Sequence, residues 1–158
     1  MSTGRHAPIA IRLITPDDFS AVTSLLAELG RPALNPATAR ETAAVFAWHV
    51  TAPDTASLLA ERAGETVGFL SLHFRDRLNH PTPEAWIPDL VVTEREHGTG
   101  VATALMERAV DFARERGCHR LTLESGYARQ RAHRFYTREG FTDAGKFFSM
   151  ELGPDKRA

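Results

Sequence analysis

Hydrophobic and polar positions recur along this chain in more than one rhythm, and each rhythm marks an element. Ile9, Ile11 and Leu13 fall on every second residue, the period of a strand with one buried face. Thr15-Pro16-Asp17-Asp18 then supplies a capping hydroxyl, a proline suited to the first helical position and acid for the first turn. Phe19, Val22, Leu26 and Leu29 follow at helical spacing until Gly30 stops them. Asn35-Pro36 opens a second helix whose inner stripe would be Ala39, Ala43, Phe46, Ala47 and Val50, with Trp48 and His49 off it. Residues 56–62 and 66–74 read as strands joined across Ala63-Gly64-Glu65, a hairpin by its turn chemistry. A polar loop with two prolines spans 75–83, and residues 85–92 form a further apolar strand. Hairpin strands leading into a strand–helix–strand unit predict a mixed α/β sheet with helices on both faces.

The glycines after that last strand carry the first chemistry. Leu90-Val91-Val92 closes the apolar run, residues 93–97 are polar, and Gly98 and Gly100 precede Val101, Leu105, Met106, Ala109, Phe112 and Ala113 at helical spacing. A strand thus feeds a helix through a glycine bend. The first amides of a helix lack partners within it and carry the positive end of the macrodipole, so the bend suits a phosphate or pyrophosphate. A plain tight turn is the competing reading. A P-loop fails, because no Lys follows Gly100. A dinucleotide fingerprint would need a small residue where Thr103 stands and a ribose-binding carboxylate, for which Glu124 is available. That module normally opens its domain, whereas this unit begins past the middle of the chain.

His97-Gly98-Thr99-Gly100-Val101-Ala102 resembles the Arg/Gln-x-x-Gly-x-Gly/Ala signature of the GNAT superfamily of acyl-CoA-dependent N-acyltransferases. Downstream, Gly117-Cys118-His119-Arg120-Leu121-Thr122-Leu123-Glu124 resembles the family's next strand. Ala132-His133-Arg134-Phe135-Tyr136-Thr137-Arg138-Glu139-Gly140-Phe141 resembles its Phe-Tyr-x-x-x-Gly-Phe helix and exit. The similarity spans residues 9–152, with the first half alike only in its order of elements. Two departures stand out: His97 replaces the usual Arg or Gln, and Arg129 replaces the Asn common seven residues before the tyrosine.

The resemblance implies a GNAT-like central, mostly antiparallel twisted sheet of six or seven strands, helices on both faces, and a splayed strand pair. In that slot the main chain of Leu90, Val91 and Val92 would hydrogen-bond the pantetheine arm of acetyl-CoA as an added strand does. His97, Gly98, Thr99, Gly100, Val101, Ala102 and Thr103 would cradle its pyrophosphate, with Arg129 either on a phosphate or solvated at a helix start. Tyr136 would be the acid for the leaving thiolate. A protonated amine needs a base, and Asp89 or Glu124 is offered, with a water chain as a third route. Asp89 shares an alternating face with Ile87 and Val91, where an unpaired carboxylate would be costly.

Composition adds boundaries. The chain has 158 residues, one domain's worth, read as residues 8–152 with flexible ends at 1–7 and 153–158. Apolar and charged contents of 42% and 25% are those of a globular protein. A net charge of −1 offers no footprint for nucleic acid or an anionic membrane. No apolar stretch is long enough to span a bilayer and no signal-peptide segment opens the chain, so a cytoplasmic location is expected. The lone Cys118 is read as a small buried hydrophobe rather than a nucleophile. Seven histidines form no metal-binding spacing and are read as scattered surface or core residues; no metal is expected. His80 and Trp48 are candidates to line the acceptor mouth.

The expected function is N-acetyl transfer from acetyl-CoA to a primary amine of a small molecule or peptide by direct attack, without nucleic-acid or membrane partners. Family analogy points to a homodimer, although no apolar stripe is surplus to the core. Two other classes remain: an acyl-CoA-binding regulatory domain without transfer activity, and a dinucleotide-binding oxidoreductase module.

Overall fold

A computed structural model describes residues 7–153, so nearly all of both expected flexible ends lies outside the described residues. The chain divides into two compact units, Met1–Leu123 and Glu124–Ala158. The first holds β1 (Ile9–Leu13), α1 (Phe19–Glu28), α2 (Ala39–Thr51), β2 (Leu58–Arg62), β3 (Glu65–Leu70), β4 (His73–Arg75), β5 (Glu84–Ile87), β6 (Leu90–Val92), α3 (Val101–Glu115) and β7 (Arg120–Leu123). Short 3-10 turns, Pro16–Asp18 and Pro36–Thr38, lead into α1 and α2 where a helix start was expected. Four strands form an antiparallel sheet in the order β1-β2-β3-β6, and three form a second sheet, β4-β5-β7, in which β5 and β7 run parallel. Among the described residues, seven mostly antiparallel strands with helices agree with the expected fold class.

Two apolar runs that read as single strands are each broken. Residues 66–74 part at Ser71-Leu72 into β3 and β4, and residues 85–92 part at Pro88-Asp89 into β5 and β6. The breaks are stitched to each other. The Ser71 amide donates to the Asp89 carbonyl at 2.9 Å, and the Asp89 amide donates to the Ser71 hydroxyl at 2.9 Å. A side-chain oxygen thereby replaces a ladder acceptor, which lets the chain leave one sheet for the other without orphaning an amide.

Alternation along the strands sorts the core into two layers. Phe69 joins Ile14, Val22, Leu25, Phe46, Leu59 and Val91 on the face covered by α1 and α2. Its neighbour Gly68 faces α3, and a Cβ built there would lie 3.0 Å from both Leu105 Cδ1 and Val101 Cγ1. Helix α3 buries Val101, Leu105, Met106, Ala109 and Ala113, the stripe its spacing predicts. On α2 only Phe46 is fully buried; Ala47, expected inside, is exposed, and His49, expected outside, is half-buried. The second sheet is held across its strands by Glu84, a fully buried carboxylate that accepts from Arg120 at 2.7 Å and Arg75 at 3.2 Å. Burial pushes this carboxyl up, but the two guanidinium groups outweigh it and leave it below the ordinary range.

The second unit contains α4 (Gln130–Arg138) and a tail without regular structure. Helix α4 ends in a Schellman motif, in which Gly140 N–H reaches the Thr137 carbonyl at 3.1 Å and Phe141 N–H reaches the Tyr136 carbonyl at 2.9 Å. Gly140 sits at φ 101°, a conformation that side chains resist. The motif's hydrophobic contact is Phe141 against Tyr136, with ring centroids 5.9 Å apart. The Tyr-x-x-x-Gly-Phe pattern is therefore a helix stop that fixes the tyrosine ring. Among the described residues, no helix is long and apolar enough to cross a membrane.

Candidate active site

Gly100 is the N-cap of α3 at φ 94°, and Gly98 precedes it at φ 78°. Added Cβ atoms on either would meet nothing within 4 Å, so the outer side of the bend is open. Its inner side is tied down by charge. Arg62 and Glu96 face each other at 3.4 Å with side chains only 6% and 8% exposed. Arg62 also donates to the Thr99 carbonyl at 3.3 Å, and the Thr99 hydroxyl donates to Glu96 Oε2 at 2.8 Å. A buried pair is costly to break on one side only, so these contacts hold the bend in one shape. Side chains of Thr99 and the buried Val101 turn inward, leaving main-chain amides at the head of α3 as the groups suited to an anion.

Strand β6 is the edge of its sheet. The Asp89 carbonyl accepts from the Ser71 amide, one residue past β3, and the Thr93 amide donates to the Val67 carbonyl of β3, each at 2.9 Å. By the antiparallel alternation, the main chain of Val91 also faces β3, and that of Leu90 and Val92 faces away. Strand β7 accompanies β5 as far as the Leu123–Ile87 pair and does not extend along β6. His97 lies across this edge, its Nε2 2.8 Å from the Val92 carbonyl. The residue that departs from the family signature thus pins the loop to the strand end.

Asp89 is not alone. Arg31 donates to its Oδ1 from Nη2 at 2.8 Å and from Nε at 3.0 Å, and the Ser71 hydroxyl reaches its Oδ2 at 3.2 Å. Thr93 Oγ1 donates to Glu28 Oε1 at 2.8 Å, so the last residue of α1 and Arg31, three residues further on, are strapped to the two ends of β6. Beside Asp89 the sheet brings together a row that spacing did not reveal. Ring centroids run Trp48 to His49 at 5.0 Å, His49 to His73 at 4.8 Å, and His73 to Trp86 at 5.5 Å. Both imidazoles are held below their ordinary range, chiefly by burial. His73 stands in an apolar strand run and His49 is off its helix stripe, which were the only signals available. His80 lies elsewhere, stacked on His119 at 3.5 Å. Burial pushes the half-buried Cys118 thiol up.

In the second unit, burial raises the Tyr136 phenol, opposed more weakly by the Arg129 charge. Arg129 is the exposed N-cap of α4. Glu124, also exposed, directly follows the end of β7.

An open, anion-suited helix start beside an edge strand is the arrangement that an extended, phosphate-bearing ligand would need. Comparison with known proteins makes this specific. Residues 21–141 match the Acetyltransferase (GNAT) family. The chain is 32% identical over 142 residues to the aminoalkylphosphonate N-acetyltransferase of Salmonella typhimurium, covering 90% of each chain. In structure it is similar to a transcriptional regulator from Bacillus halodurans, with a TM-score of 0.84 and 24% identity, over 92% of this chain and 100% of that one. An aminoglycoside N-acetyltransferase solved with CoA gives a TM-score of 0.80 at 17% identity, over 92% of this chain and 95% of that one. The protein belongs to the GNAT acetyltransferase family and is an acyl-CoA-dependent N-acetyltransferase.

Proposed function

We propose that the protein transfers an acetyl group from acetyl-CoA to the primary amine of a small molecule, by direct attack on the thioester. The observation that carries the donor is the glycine bend, open outside and braced inside by Arg62 and Glu96, next to an edge strand with outward main-chain groups at Leu90 and Val92. The amides of Gly98 and of Gly100 to Thr103 would hold the pyrophosphate, that of Thr99 being bonded to the Glu96 carbonyl, and the Leu90 main chain and the Val92 amide would hydrogen-bond the pantetheine, the Val92 carbonyl being held by His97. Arg129 is available for a further phosphate contact.

Transfer needs a proton removed from the ammonium and a proton supplied to sulfur. Tyr136 fits the second task, because a phenol raised by burial stays protonated at neutral pH and can donate. For the first task, Glu124 and Asp89 are the carboxylate candidates. Asp89 already holds Arg31 and Ser71, which suits it to fixing the segment after α1 over β6. The acceptor class is supported by the relative that acts on aminoalkylphosphonates, the similarity to which covers most of both chains.

Calorimetry with acetyl-CoA, followed by thiol release over a panel of aminoalkylphosphonates, polyamines, aminoglycosides, amino acids and peptide N-termini, tests this reading. Micromolar acetyl-CoA binding and release dependent on one amine class are expected. Binding without release from any amine would instead indicate a regulatory acyl-CoA-binding domain, and affinity for NAD in place of CoA would end the assignment.

A further inference from the structure

We infer that His49 and His73 form the base of the acceptor subsite, with His73 taking the proton from the substrate ammonium and His49 holding His73 in its neutral form. This rests on the acetyl-transfer reading above and adds residues that neither the glycine motif nor the tyrosine motif contains. His73, on β4, pairs across the sheet with Trp86 of β5, two residues before the Pro88-Asp89 break at which the edge strand begins. His49 comes to it from α2, at 4.8 Å and nearly perpendicular, and its Nδ1 is buried without a hydrogen-bond partner. Trp48 and Trp86 flank the two imidazoles; the Trp86 ring already carries the Arg75 guanidinium 4.8 Å from its centroid, so the exposed Trp48 is the aromatic face on offer to an alkylammonium group. Asp89, in the break between β5 and β6, is engaged by Arg31 and Ser71, so the neutral acceptors in this row are the imidazoles.

The charges around the pair favour one proton at most. Burial and the neighbouring His49 lower His73, Arg75 on its own strand lowers it further, and Asp54 and Asp89 act the other way. His49 is lowered by burial and raised by the same two carboxylates. Both rings are therefore unprotonated near neutrality, and protonating one disfavours protonating the other.

The step balances as follows. An N–H bond of the ammonium breaks, its proton bonds to a ring nitrogen of His73, and the freed lone pair forms the C–N bond at the thioester carbonyl. As the adduct collapses the C–S bond breaks, sulfur takes a proton from Tyr136, and the second nitrogen proton restores the phenol. His73 then gives its proton to water. His73 is a catalytic residue in this scheme and His49 a positioning residue.

The test compares native protein, His73→Gln and His49→Gln by acetyl-CoA calorimetry, by the pH profile of kcat/KM for the preferred amine, and by NMR titration of labelled histidines. The native acid limb should lie below the ordinary histidine range. His73→Gln should remove that limb and lower kcat/KM by roughly 100-fold with acetyl-CoA affinity unchanged. His49→Gln should move the limb to higher pH, the sign expected when a like charge is removed, an effect that a packing defect would not produce. Rates for His73→Gln within threefold of native, or NMR titration of His73 at or above the ordinary histidine value, would overturn the proposal. The NMR arm needs no turnover, and failure of the transferase reading shows separately, as native protein that neither binds acetyl-CoA nor releases thiol.

Discussion

At the scale of single residues, the phenol of Tyr136 and the carboxylate of Asp18 illustrate opposite uses of environment. Burial lifts Tyr136 above the usual tyrosine value, which keeps its proton in place through the neutral and mildly alkaline range. Tyr136→Phe should therefore lower kcat by about 100-fold while leaving the acetyl-CoA dissociation constant unchanged. Stopped-flow thiol release and calorimetry separate the two quantities. Asp18 instead accepts from Arg12 at 2.7 and 2.8 Å and from the Thr15 amide at 2.7 Å, which lowers it from 3.8 to about 2. The unfolded chain binds this proton more readily, so the contribution is complete above pH 4 and is lost as pH falls towards 2. Asp18→Asn should cost about 2 kcal/mol at pH 7 and flatten the acid side of the stability profile, as urea titrations from pH 7 to 2 would show.

At the scale of elements, the glycines of the first unit separate two kinds of constraint. A Cβ on Gly68 would press on Leu105, Val101 and the Val91 carbonyl, where α3 crosses β3. Gly68→Ala should therefore destabilise by about 1–3 kcal/mol through overpacking, read as a lowered urea midpoint. A Cβ on Gly100 meets no protein atom, yet its backbone at φ 94° and its place at the head of α3 exclude a side chain for different reasons. Gly100→Ala should weaken acetyl-CoA binding at least tenfold by calorimetry, a larger loss than its effect on the urea midpoint would predict.

The same elements show what a single chain discloses about itself. Helix α3 and the bend before it were legible because an amphipathic stripe and two glycines are local signals. The exit of α4 was legible through its family pattern, for which the structure supplies a local cause in the Schellman stop at Gly140 and Phe141. The breaks at Ser71 and Pro88 were not. Apolar runs buried on both faces carry no mark of which sheet will claim each half, and the decisive bond joins residues 71 and 89. His49 and His73 escaped notice on the same account, because their meeting depends on where α2 lands against β4 and not on any spacing between them.

At the scale of the whole molecule, a ligand that binds only the folded chain must stabilise it. At 100 times its dissociation constant, acetyl-CoA should contribute about 2.7 kcal/mol. For a chain of this length that corresponds to a rise of roughly 5–10 °C in Tm, measurable by calorimetric scanning. Desulfo-CoA should reproduce most of the rise and free acetate none, because the proposed grip is on the phosphates and the pantetheine arm.

Strand β6 carries one more implication. An unpaired sheet border ordinarily invites neighbouring chains to add to it and begin a fibre. Here the border is three residues long, Leu90–Val92, and its last carbonyl is already spoken for by His97. Such a short template is too small to seed growth between molecules. On the proposed reading, the main-chain groups offered to the pantetheine arm thus lie on a border too short to template a fibre.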